Sequence, residues 1–303
     1  MADGPRAEHA GARLAAVGGV VNAALALIKG VAGVMGHSSA LVADAVDSAT
    51  DVVGSLVTWT GLHLASRSAD YEHPYGHGKA EQLSAAVVGL MLCGAAVGIV
   101  VKAAQELTTP HELPAVFTLA VLVVVVCVKT VLARTVLRVA REAGSGAAEA
   151  DAWHHHADAL TSGAAFVGIS AALIGGPSWA WCDGAAAVAA SLIVFFNGVR
   201  ILRPAIHELM DGIPDAAFIS RVATAAGAVA GVRMIEDLKA RKVGTRYFID
   251  LHVQADPTMP LLDAHVLGGR VKTAIRAAMP SVEDVLVHME PYGAGPGTPP
   301  DGS

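Results

Sequence analysis

Ala40-Leu41-Val42-Ala43-Asp44-Ala45-Val46-Asp47-Ser48-Ala49-Thr50-Asp51 is an apolar run broken by three carboxylates. It opens a stretch, 40–65, long enough to cross a bilayer, where about 20 predominantly apolar residues are needed. Asp47 and Asp51 are spaced i, i+4, so on an α-helix they stack on one face about one turn apart. His154 and Asp158, in a later apolar stretch, have the same spacing. Two helices turned toward each other would bring these four groups to one point. Three carboxylates and an imidazole can enclose a divalent ion such as Zn²⁺, which is commonly four-coordinate with nitrogen and oxygen ligands. Ionisable groups within a membrane are expensive and mark ion pathways by default. The stretch therefore reads as part of a membrane protein that moves metal ions.

Spacing alone leaves the ligand set open. Asp44, Asp47 and Asp51 share one helix face at i, i+3, i+7, and Asp151 with His155 is as good an i, i+4 pair as His154 with Asp158.

The rest of the chain agrees with a membrane reading. It is 53% hydrophobic with a mean hydropathy of +0.52. Six stretches approach spanning length: 14–35, 40–65, 83–101, 113–133, 157–174 and 184–201. Polar interruptions leave the second and fifth undecided by hydropathy alone. No cleavable signal is expected, because a polar start runs directly into a long apolar stretch. Charge rises beyond Met210: residues 1–210 hold 12 Lys/Arg and 16 Asp/Glu, whereas 211–303 hold 9 and 11. A domain boundary is expected there, giving a six-helix transport domain over 1–210.

With the N-terminus in the cytoplasm, Arg6, Arg13, Arg67, Lys79, Arg134, Arg138, Arg141, Arg200 and Arg203 fall at cytoplasmic helix ends, as the positive-inside rule requires. Lys29 and Lys102 then lie toward the outer ends, and Lys129 in the inner half of the fourth helix. Both termini are expected in the cytoplasm of a multi-pass protein of the cell (inner or plasma) membrane. The net charge of −6 offers no basis for nucleic-acid binding. Cys93, Cys127 and Cys182 form no C-x-x-C pair and read as small buried hydrophobes.

Residues 211–291 have the pattern of a small α+β domain. Apolar spacing predicts helices over 214–230 and 260–278, and alternation predicts strands over 233–241, 246–254 and 282–289, with a turn at Val243-Gly244-Thr245. The order αββαβ is ferredoxin-like, with helices on one face of a small sheet. Residues 292–303, rich in Gly and Pro, are expected to be a disordered tail.

Several motifs, in order, now resemble the cation diffusion facilitator family over nearly the whole chain. They are the helix-two run above, His73-Pro74-Tyr75-Gly76-His77-Gly78-Lys79, Asp151-Ala152-Trp153-His154-His155-His156-Ala157-Asp158, Glu236-Asp237-Leu238-Lys239 and Phe248-Ile249-Asp250-Leu251-His252-Val253. The resemblance implies a homodimer, six membrane helices per protomer and a cytoplasmic metal-binding domain. It further implies an antiporter exporting Zn²⁺, and also Cd²⁺, Fe²⁺ or other divalent transition metals, in exchange for protons. Its register selects Asp47, Asp51, His154 and Asp158 as the transport site. It places a second metal site on Asp70, His73 and His77, and pairs Lys79 with Asp211. A cytoplasmic site, where Zn²⁺ is structural or regulatory, maps to Glu236, His252, His265, His288 and Glu290. Position 236 often carries His and position 290 Asp in the family, so this last site departs from the pattern.

The chemistry of exchange follows from protonation. Carboxylates must be ionised and imidazole neutral to hold a metal, so protons and metal compete for the same groups. Nitrogen with oxygen donors suits Zn²⁺-type ions better than Mg²⁺ or Ca²⁺, which favour all-oxygen shells. Two other classes fit the sequence less well. A membrane-embedded metalloenzyme would need an open metal position and a general base, and no H-E-x-x-H is present. A metal sensor without transport would leave the mid-membrane ligands unexplained. The chain is expected to be a secondary transporter and not an enzyme, with lipid, divalent ions, protons and its own second copy as partners.

Overall fold

The computed structural model describes residues 4–108, 113–143 and 146–293, and within these all side chains but those of 4–18, 106–108, 136, 139–143, 146–157 and 160. The side chains of Asp151, His154, His155 and His156, and the tail beyond Gly293, lie outside the described residues.

Six long helices come first: α1 (Gly4–Met35), α2 (Ser39–Ala65), α3 (Lys79–Thr108), α4 (Phe117–Ala143), α5 (Gly146–Gly175) and α6 (Trp181–Leu209). They are the six expected. Among the described residues, α3, α4 and α6 are long and apolar enough to cross a membrane on their own composition. α2 is interrupted by three acidic residues, Asp44, Asp47 and Asp51.

Two compact units form. The first takes residues up to Trp59 together with Val87–Leu202, and the second takes Thr60–Ala86 together with the chain from Arg203 onward. In the first unit, one buried carboxylate sets the start of α2. Asp183 of α6 accepts from the Ser38 hydroxyl at 2.7 Å and from the Ser39 amide at 2.6 Å. It thereby satisfies amides that a helix N-terminus leaves without an intrahelical partner. α3 and α6 cross closely through glycines: a Cβ on Gly198 would meet Cys93 Sγ at 2.8 Å and the Gly89 carbonyl at 2.9 Å. Small residues let membrane helices approach in this way.

The second unit contains the αββαβ domain as expected. α7 (Ala216–Gly227) is capped by Asp215, which accepts from the Phe218 amide. β1 (Met234–Val243) and β2 (Arg246–Ala255) form an antiparallel hairpin about Gly244, whose φ of 62° suits the turn. α8 (Leu261–Ala278) then carries the chain to β3 (Val282–Pro291), parallel to β2, giving the order β1-β2-β3. Val222, Ala226, Ile249, Leu251, Val253, Val271 and Ile275 build the core between helices and sheet. Lys272 of α8 pairs with Asp284 of β3, and this hydrogen bond holds the Asp284 carboxyl below the usual carboxylate range.

The α3–α6 crossing predicts opposite signs for two identical substitutions. Gly94, with nothing within 4 Å of its Cβ position, should tolerate Ala or gain up to about 1 kcal/mol from helix propensity. Gly198→Ala should instead cost about 1–3 kcal/mol from overpacking. Thermal unfolding of both variants in one detergent checks this, and equal shifts would refute the close crossing. For Asp284, the depressed carboxyl contributes stability above about pH 3.9, its ordinary value, and loses it as pH falls through the lowered folded value. The cytoplasmic domain of Asp284→Asn should therefore lose less melting temperature between pH 5 and pH 3 than wild type, by a small margin because solvent screens the pair.

Candidate functional site

Asp47 and Asp51 on α2 and Asp158 on α5 bring one carboxylate oxygen each to within 4.8 Å of one another. Asp158 is buried and the other two are half-buried. The structure thus joins three of the four expected transport ligands. The fourth, His154, lies on α5 one turn before Asp158, and its side chain is outside the described residues. The choice that helical spacing left open on α2 is decided by packing. Asp44 turns to Lys29 of α1, at 3.0 Å from Nζ, and accepts from the Ser162 hydroxyl at 2.8 Å. It does not join the cluster.

Two lysines complete this region, and sequence reasoning counted them only as markers of topology. Lys29 and Lys129 are among the largest fully buried side chains. Lys129 Nζ of α4 donates to Asp158 Oδ2 at 2.7 Å. The available signal was a lysine in the midst of an apolar run, which requires an acidic partner somewhere within the helices.

The loop between α2 and α3 holds the second group, Asp70, His73 and His77, again with one donor each within 4.8 Å. Asp70 Oδ1 accepts from the His73 amide at 2.7 Å, and Asp70 Oδ2 lies 3.5 Å from His77 Nε2. The backbone hydrogen bond from His73 holds the Asp70 carboxyl below its usual range. The imidazoles stand 4.4 Å apart between centroids, and Gly76, with a φ of 79°, turns the chain between them. At the end of the loop Lys79 Nζ donates to Asp211 Oδ1 at 2.8 Å, as the resemblance implied. Asp211 itself has a φ of 55°.

The cytoplasmic set is brought together in part. His252 and His288 are partners across the parallel β2–β3 pair, with ring centroids 4.9 Å apart. Glu290 Oε1 sits 2.8 Å from His252 Nδ1 and 3.8 Å from His288 Nε2. Glu236 faces His252 only in backbone register, and His265 lies exposed on α8. Among the described residues no three donors of this set form a group as tight as the other two. The carboxylate that does approach is Asp237, 3.8 Å from His252 Nε2. A register shift between Glu236 and Lys239, with Asp237 at a φ of 42°, displaces the side-chain alternation there. Glu236 was the position that the family resemblance implied, and the bulge brings its neighbour Asp237 toward His252 instead.

Carboxylates clustered between apolar helices, with an α+β domain after the last of them, define a membrane transporter of metal ions. Comparison with known proteins agrees. The cation efflux transmembrane domain matches residues 15–210, and the cation efflux protein cytoplasmic domain matches 214–292. The magnetosome protein MamB of Magnetospirillum gryphiswaldense is 31% identical over 271 residues, 89% of this chain and 90% of that one. The manganese efflux system protein MneP of Bacillus subtilis is 28% identical over 289 residues, 94% and 97% of the two chains. The cation-efflux pump FieF of Klebsiella pneumoniae is 30% identical over 275 residues, 90% of each. Among solved structures, the C-terminal domain of MamM shares 31% identity over 25% of this chain and 95% of that one, with a TM-score of 0.24.

The chain belongs to the cation efflux, or cation diffusion facilitator, family. It is a multi-pass membrane protein that exports metal cations, and it is a transporter and not an enzyme.

The Lys79–Asp211 contact separates charge from backbone conformation. Asp211→Asn, which removes the charge but keeps a residue tolerant of positive φ, should cost less than about 1 kcal/mol, as expected of an exposed pair. Asp211→Val should cost about 1–2 kcal/mol more, because a branched side chain is strained there. Equal melting temperatures for the two variants would show that the left-handed conformation is not retained.

Proposed function

We propose that this chain exports Zn²⁺, and also Cd²⁺ or Fe²⁺, from the cytoplasm across the inner or plasma membrane in exchange for protons. The observation that carries the reading is the Asp47, Asp51 and Asp158 cluster, three donors within 4.8 Å on two membrane helices. His154 is proposed as the fourth ligand. A nitrogen with oxygens is a set that Zn²⁺-type ions accept and that Mg²⁺ does not favour. The relative named for manganese efflux keeps Mn²⁺ among the cargoes to be tested.

Exchange follows because each donor must shed its proton to hold the ion. When the site opens to an acidic exterior, protons displace the metal; when it opens to the cytoplasm, metal displaces the protons. The proton gradient then drives metal outward. Residues 1–210 form the transport domain and 211–291 a cytoplasmic domain through which two copies associate, with both termini in the cytoplasm. Asp70, His73 and His77 bind a second, exposed ion. His252, His288 and Glu290, with Glu236 and His265 in secondary roles, form a cytoplasmic site that senses metal. Lys79 and Asp211 brace the membrane edge of the second unit.

The test is Zn²⁺ uptake into proteoliposomes with an imposed pH gradient. Asp51→Ala and His154→Ala should each lower the initial rate at least about tenfold, by analogy with ligand-shell changes at metal sites, while the protein remains folded. Collapsing the pH gradient at constant membrane potential should abolish the driven component. Wild-type uptake by either variant would remove the assigned site. Binding without any transport would favour a sensor.

A further inference from the structure

Lys129 stands where a purely structural lysine need not. Its side chain is 1% exposed, and its Nζ donates to Asp158 Oδ2 at 2.7 Å. That carboxylate is one of the three donors of the transport cluster. Lys29 gives the contrast, since its acidic partner, Asp44, lies outside the cluster. The two ammonium groups meet at one hydroxyl: Ser48 Oγ is 2.5 Å from Lys29 Nζ and 3.4 Å from Lys129 Nζ. Ser48 lies on α2 between the ligands Asp47 and Asp51. A polar chain therefore runs from Asp44 through Lys29, Ser48 and Lys129 to Asp158, across α1, α2, α4 and α5.

Formal charge gives this chain a meaning. Asp44, Asp47, Asp51 and Asp158 supply four negative charges, and Lys29 and Lys129 two positive ones. Two negative charges remain among these groups, which one divalent cation would balance. An ion seated among Asp47, Asp51 and Asp158 would also lie beside the Lys129 ammonium, and like charges so close in a low-dielectric interior repel strongly.

We propose that Lys129 is a tethered counter-cation of the transport site, a positioning residue that sets metal affinity. Without metal its ammonium occupies Asp158 and lowers the charge that the empty carrier must hold within the membrane. As metal binds, the ammonium gives way toward Ser48, whose hydroxyl is already within 3.4 Å. The competition weakens metal binding and promotes release, because a carrier must bind firmly enough to load and weakly enough to unload. The inference rests on reading Asp158 as a transport ligand.

The experiment uses full-length wild type, Lys129→Gln, Lys129→Arg and Asp158→Asn in proteoliposomes, with initial Zn²⁺ uptake measured against Zn²⁺ concentration at one pH. Lys129→Gln should lower KM about tenfold, within the usual span of coupled sites, and lower kcat with it. Lys129→Arg should return KM to within about threefold of wild type, since it restores the cation. Asp158→Asn should be inactive. If Asp158→Asn is inactive while Lys129→Gln leaves KM unchanged or raised, the site reading stands and the counter-cation is refuted. If Asp158→Asn transports like wild type, the site reading itself fails. Should Lys129→Gln not fold, wild type labelled with ¹⁵N-lysine decides. The Nζ resonance missing from Lys129→Arg should shift on adding Zn²⁺, and a resonance that stays in place overturns the proposal.

Discussion

Carboxylates inside an apolar helix layer must find partners there, and the first unit is organised around that constraint. An ionised group isolated from water within a membrane is too costly to tolerate. Asp44 is answered by Lys29 and Ser162, Asp158 by Lys129, and Asp183 by the first amides of α2. These pairings fix α1, α4, α5 and α6 about α2 at definite points. They also separate two kinds of acid on one helix, since Asp44 is used to hold the bundle and Asp47 and Asp51 face the cluster. Breaking a buried pair by removing one partner leaves an uncompensated charge, which is far worse than losing the pair whole. Asp158 belongs to both sets, paired with Lys129 and placed within the carboxylate cluster.

The second unit solves a different problem, that of holding an exposed loop in one conformation. The loop bearing Asp70, His73 and His77 is anchored to the β1–β2 hairpin. Arg241 places its guanidinium 5.1 Å from the Tyr75 ring centre and 5.8 Å from that of Phe248, and the two rings meet edge to face. Such contacts suit an exposed loop, because cation–π and aromatic packing persist where a simple surface ion pair gains little. Gly78 lies so close to the hairpin that a Cβ would meet the Val243 backbone at 2.9 Å. Beside it, Lys242 reaches Glu208 at the end of α6 at 2.9 Å, and this pairing, working against the desolvation of its half-buried ammonium, raises the Lys242 pKa. The loop donors and the cytoplasmic hairpin therefore belong to one packed body.

The number of long helices, the order αββαβ and the positions of Asp47, Asp51 and Asp158 were all legible in the chain, because apolar periodicity and i, i+4 spacing depend on local geometry alone. The three donors of the loop group were named by the family resemblance, and they fall within eight residues of one another. What local geometry could not decide was which of several equivalent groups turns inward. Asp44 was as well placed as Asp47 and Asp51 until packing set it against Lys29. Lys29 and Lys129 looked like topology markers because their partners are distant in sequence, 15 and 29 residues away. Asp237 was hidden because a bulge alters side-chain direction, which no periodicity records. Sequence by itself determined the membrane class, the elements and a short list of donors; tertiary structure alone decided their partners, because a buried charge is assigned by what lies across the helix interface and not by its neighbours along the chain.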